Sequence, residues 1–156
     1  MATLLSAIEE EVGNLTTRVT FHYSDLEESN AMIYDRLQPS DFPACLILPI
    51  DITDSEREHG KLIHTAEVNA IFLNRFTNEA TIDKSISEIN TQFVEPMTTL
   101  ARQFINRLDE NDIIEGTGID SVVHRSTHQA LFDAHLYGCW SVFTIKYYEG
   151  LSTCPS

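Results

Sequence analysis

Ile82, Ile86, Ile89, Phe93, Met97, Leu100, Phe104 and Leu108 follow one another at steps of four and three residues. A helix turns once per about 3.6 residues, so these side chains share one face. Lys84, Ser87, Glu88, Gln92, Thr99, Arg102 and Asn106 take the opposite face, which suits water. At about 1.5 Å per residue the stretch predicts a helix about 40 Å long. An apolar stripe of that length needs a partner surface of similar length, and the rest of the chain has to supply it. Residues 78 to 81 offer caps, and Asp83 suits the first turn. Pro96 lies inside, where it removes a backbone bond and crowds the carbonyl of Gln92. A kink is therefore expected between residues 82–95 and 96–109.

Other segments carry the two-residue period of strands. Val19, Phe21 and Tyr23 alternate with Arg18, Thr20 and His22, predicting a half-buried strand. Residues 45 to 49, CLILP, are a continuous apolar run ended by Pro49, the pattern of a strand buried on both faces. From residue 61 to 76, Leu62, Ala66, Val68, Ala70 and Phe72 oppose Ile63, Ile71 and Leu73. Such a strand reaches about 45 Å at about 3.3 Å per residue, so it bends at a bulge or projects as a hairpin arm with residues 46 to 61. Residues 51 to 60, DITDSEREHG, have no apolar period and read as an exposed connection. Residues 121 to 125 and 131 to 132 are short candidate strands. In residues 137 to 149, Cys139, Phe143, Ile145 and Tyr147 alternate with Trp140, Val142, Thr144 and Tyr148, the strongest strand pattern in the chain.

At the N-terminus, Leu4, Leu5, Ile8 and Val12 fall on one side of a short helix that Gly13-Asn14 stops. Glu9, Glu10 and Glu11 crowd its C-terminal end, where the helix dipole disfavours them, so a partner or fraying is expected there. Residues 31 to 34 suggest one helical turn. The whole reads as an α+β domain spanning residues 1 to 156: a mostly antiparallel sheet of four to five strands, a long kinked helix and a short N-terminal helix packed on it, and a β-hairpin arm. Residues 150 to 156 are expected to form an extended tail.

Composition narrows the class. At 156 residues the chain can bury about two thirds of the surface its unfolded form exposes. Its 42% hydrophobic and 22% charged content excludes the disordered classes. With 24 acidic against 10 basic residues the net charge is −14, which argues against a surface that grips phosphate backbones. The 3 cysteines, an odd and sparse set, fit a reducing compartment. The opening MATLLSAIEEEV lacks a basic region, and no run approaches the ~18 apolar residues of a membrane span, so neither a signal peptide nor a membrane helix is expected. A cytosolic protein, or one assembled in a cytosol, is expected.

Catalytic signatures are sparse. No glycine-rich phosphate loop, His-Glu-x-x-His or Gly-x-Ser-x-Gly is present, and Gly60-Lys61 is followed by a leucine that cannot ligate magnesium. His124, His128, His135 and Cys139 have spacings that resemble metal ligands, but without a Cys-x-x-Cys they read as surface-loop and core residues, with no metal and no cofactor. Asp51, Asp54, Glu56 and Glu58 read as a solvated charge run rather than general acids. Cys139 next to a histidine is a possible nucleophile in type, but a thiol in a strand core is the plainer reading. No catalytic residues are assigned, and the expectation is not an enzyme.

The order of motifs adds a resemblance. FPACLILP, a charged loop, a long strand ending IFLNRF, an amphipathic helix and LYGCWSVFTIKYYEG together resemble the tail-terminator and related neck proteins of tailed bacteriophages. Gly138, Phe143, Thr144 and Tyr147 match the family's last strand, of the type Gly-x-x-x-x-Phe-Thr-x-x-Tyr. FHYSD at residues 21 to 25 and TIKYYEG also look like versions from phages of gut Bacteroidota, including crAss-like phages. The resemblance implies a structural virion protein of the head-tail junction: a homo-oligomeric ring, hexamer or dodecamer, that contacts portal or connector and tail proteins and lets DNA pass without specific binding. It implies no catalytic residues, and no membrane partner is expected. A ring would place Asp51, Asp54, Glu56, Arg57, Glu58 and His59 against a neighbour or the lumen. Two other readings stay open on the residues: an acidic DNA-mimicking inhibitor, and a small metal-dependent enzyme using the His/Cys set.

Overall fold

The computed structural model describes residues 4–23, 42–58, 61–75, 84–111, 119–127 and 136–148. Expectations for Ile82, His59, His128, His135 and Cys154, for the turn at 31 to 34, for the strand at 131 to 132 and for the tail at 150 to 156 lie outside the described residues.

Helix α1 (Leu4–Gly13) buries Leu4, Ala7, Ile8, Glu11 and Val12. Leu5, assigned to the inner side by spacing, is only partly buried. The helix ends at the expected place, where the Asn14 N–H reaches the Glu10 carbonyl. The Glu11 carboxylate does find a partner, within the same chain. It lies 3.4 Å from Arg107 Nε and accepts a 2.8 Å hydrogen bond from Asn111 Nδ2, tying α1 to the far end of the long helix.

Strands β1 (Thr20–Tyr23), β2 (Ala44–Ile47), β3 (Asp51–Glu58), β4 (Lys61–Arg75), β5 (Ile119–Thr127) and β6 (Leu136–Tyr148) form a 6-stranded sheet. Its order is β1-β2-β4-β6-β5, with β3 beside β4. Only β1 and β2 run parallel; every other pair is antiparallel. β2 is buried throughout, as its continuous apolar run requires. β6 runs along one edge of β4 from Ile63↔Tyr148 to Arg75↔Leu136. The other edge is shared: β2 takes Ala70 to Leu73, and β3 takes Lys61 to Glu67.

β3 corrects the expectation of an exposed connection over residues 51 to 60. The backbone groups on that edge of β4 need hydrogen-bond partners, and the chain just before it supplies them. An edge strand can do so while keeping its charged side chains in water, so apolar periodicity, which reports burial, does not register it. The hairpin of β3 and β4 is the expected arm, but it does not stand alone, because β6 flanks β4 up to Ile63.

The long helix is built in three pieces: α2 (Ile86–Ile89), a π-helical turn (Asn90–Val94) and α3 (Glu95–Asp109). Among the described residues it begins at Ile86. Ser85 Oγ accepts the Glu88 N–H at 3.2 Å and donates to Glu88 Oε1 at 3.2 Å, so Ser85 caps the first turn through its hydroxyl. Just ahead of Pro96, where a kink is expected, the helix widens into the π turn, the Glu95 N–H reaching the Asn90 carbonyl. The wider turn ends where proline has no N–H to donate to the next carbonyl. Its extra residue also shifts the buried face, so that Phe93 and Val94 are buried side by side, clustered with Ile89 and Tyr137.

Beyond the turn the stripe reads as its spacing predicts. Met97, Leu100, Phe104 and Leu108 are buried, joined by Ala101 and Ile105. α1 and α3 pack on the same face of the sheet, in one core with Val68, Phe72, Phe143 and Tyr147. Phe104 sits between two strands, with ring centroids 5.7 Å from Phe72 and 6.1 Å from Phe143. Burying such a ring contributes about 2–3 kcal/mol. On the opposite face, Leu46, Ile71 and Leu73 are buried while Glu67 and Lys146 are exposed. Among the described residues no helix is long and apolar enough to cross a membrane.

Candidate functional site

Of the residues singled out as a contact loop, Asp51, Asp54, Glu56, Arg57 and Glu58 lie on β3, and His59 falls outside the described residues. Asp51 stands opposite Glu67, Asp54 opposite His64, Arg57 opposite Leu62 and Glu58 opposite Lys61. A bulge between Asp54 and Arg57 contains Glu56. Directly opposed residues of an antiparallel pair project from the same face. Asp51 and Glu67, both exposed, therefore bring two carboxylates together on the face away from the helices. Like charges so placed disfavour the pair in an isolated chain, and a cation beside them would relieve it. Glu67 was not singled out from sequence, although an acid in the middle of an apolar strand is a readable signal. Next to Asp51, Ile52 is 50% exposed, an unusual degree for an isoleucine in a strand.

A second group of polar side chains lies on the helix side of the sheet. β5 and β6 place His124 opposite Ser141, and Ser126 opposite Cys139. His124 Nδ1 and Ser141 Oγ share a 2.7 Å hydrogen bond; Cys139 Sγ lies 3.4 Å from Ser141 Oγ and 3.7 Å from His124 Nδ1. Two members of the candidate metal set, His124 and Cys139, are thus brought together. Ser141 completes the group, and its place two residues from Cys139 on one strand was the signal for it. Burial first, and the nearby Arg102 charge second, lower the His124 pKa from its ordinary value, which favours the neutral ring. The Cys139 and Ser141 side chains are fully buried. Among the described residues no group of three or more His, Cys, Asp or Glu side chains could hold a metal ion. Cys45 is a core thiol whose pKa burial pushes far up, the state of an unreactive thiol.

No protein-family model matches this chain, and no curated protein matches it. The site therefore rests on geometry. A cleft of about 380 Å³ lies where α3 meets the start of the sheet, lined among others by Thr16, Thr17, Asn74, Thr99 and Gln103. Its threonine hydroxyls and the Asn74 and Gln103 amides offer hydrogen bonds. What the described residues do present outward is strand edge. β3 and β5 are each paired on one side only among the described residues, and they carry Ile52, Val122 and Val123, exposed by 50%, 40% and 46%.

Proposed function

We propose that this chain is a structural virion protein of tailed bacteriophages, a tail terminator or head-tail connector that assembles into a ring, hexamer or dodecamer, through which DNA passes. The observation that carries the reading is strand β3, eight residues long, which extends β4 and presents an outer edge bearing Ile52 and Asp51. Such an edge is a liability in a monomer and an assembly surface in a ring, where a heterologous contact repeats until rotation closes it. The excess of 24 acidic over 10 basic residues suits a channel wall that repels phosphate and lets DNA slide. The reading assigns no catalytic step, because the His124, Ser141 and Cys139 group turns a fully buried thiol toward the core. Portal or connector proteins and tail proteins are its proposed neighbours, in a virion assembled in the host cytoplasm.

A DNA mimic would need its carboxylates in one row. The exposed ones among the described residues are divided between α1 (Glu9, Glu10), the sheet (Asp51, Glu67) and the long helix with its C-cap (Glu88, Glu95, Asp109, Glu110). Negative-stain images of the purified protein test the ring: annular particles with a central hole wide enough for duplex DNA are expected, and a field of small compact particles at every concentration contradicts it.

A further inference from the structure

We infer that, in this proposed ring, β3 of one copy pairs antiparallel with β5 of the next, Arg125 of β5 meeting Asp51 and Glu67. The inference rests on the ring reading and names the surfaces that build it. Direction comes first. β3 and β6 both run opposite to β4, and β5 runs opposite to β6, so β5 runs opposite to β3. A neighbour generated by rotation about an axis roughly along the strands keeps those directions. Its β3 therefore meets β5 antiparallel, continuing the alternation with the better-aligned ladder.

Shape is the second argument. Outside β2 the sheet has one more strand, β1, level with Ala70 to Leu73; outside β3 no described strand lies. A neighbour's β5 in that column would continue the line that β1 begins. The two strands match in length, 8 residues in β3 and 9 in β5. The exposed aliphatic side chains Ile52, Val122 and Val123 all lie on these two strands.

Charge then fixes the register. Arg125 stands opposite Trp140, and Trp140 opposite Ile71, so Arg125 projects from the same face as Glu67 and Asp51, which stand four residues along β4 from that row. Sliding the neighbour by those four residues, about 13 Å at about 3.3 Å each, sets Arg125 beside the two carboxylates. A constant stagger of this kind is how tilted strands close around an axis. The cation relieves the like-charge pair, and the same register sets Thr53 opposite Val123.

The test uses the full chain with Cys154→Ser to remove an extraneous thiol. Thr53→Cys and Val123→Cys variants, each exposed in the chain, are oxidised separately and as a mixture, while native mass spectrometry follows the oligomer. A disulfide-linked dimer formed only in the mixture is the expected result. Charge gives an independent readout: Arg125→Glu or Asp51→Arg alone should weaken assembly about tenfold, and the two together should restore it. Self-linked Thr53→Cys dimers, or failure of the charge swap to restore assembly, would overturn the pairing. Oligomers that never link position 53 to 123 overturn the pairing and leave the ring standing. Monomers of the unsubstituted protein overturn both.

Discussion

Gly138 marks the tightest point of the sheet. A Cβ built there meets the Phe72 carbonyl oxygen at 1.8 Å and the Leu73 Cα at 3.0 Å, both backbone atoms of the strand beside it. Neither can swing aside as a side chain would. Gly138→Ala is expected to cost more than about 3 kcal/mol, read as a collapse of the denaturation midpoint or loss of folded protein. Gly13 is the contrast, with nothing within 4 Å of the same atom and no left-handed backbone angle. Gly13→Ala should raise stability by about 0.4–1 kcal/mol by restricting the unfolded chain. His124 makes a pH prediction at the same scale. Its folded pKa is lowered from the ordinary 6.5, so below that value the unfolded chain holds more protons than the folded one. Stability should fall as pH drops from 6.5 toward the folded pKa, and His124→Gln should flatten that slope in melts recorded across the range.

Among elements, the attachment of α1 to α3 turns on Glu11, which is buried against Arg107 and Asn111. Glu11→Ala should cost about 1–2 kcal/mol, since a charged hydrogen-bond acceptor is lost while Arg107 can still turn to water. The same substitution in an Arg107→Ala background should cost measurably less. The elements also show which parts of the fold could be read from sequence. The stripe from Ile89 to Leu108, the buried run ended by Pro49 and the alternation around Phe143 were legible because burial imposes a period on side chains. β3 was not, because an edge strand is held by backbone bonds that leave no apolar period. The π turn was half legible: Pro96 marked the place, but proline alone does not say whether a helix kinks or widens. Residues 51 to 58, read from sequence as an exposed connection, form an edge strand instead. The meeting of His124 with Cys139 depended on a register between β5 and β6, including the bulge between Asp120 and Val123, that no spacing encodes.

At the level of the whole molecule, both helices lie on one face of the sheet and the outer edges of β3 and β5 lie at its two sides. In the proposed ring that division separates folding from assembly: the core around Phe104 holds the domain together, and the outer edges of β3 and β5 are the surfaces proposed to meet a neighbour. If the proposed ring encloses DNA, the chain's 24 acidic against 10 basic residues would make a wall that guides a duplex without gripping it. Native mass spectrometry of the purified, unsubstituted chain decides whether it self-associates into a closed ring: a dominant species at six or twelve times the monomer mass that persists on dilution is expected, and a mass equal to one chain at every concentration would refute the ring.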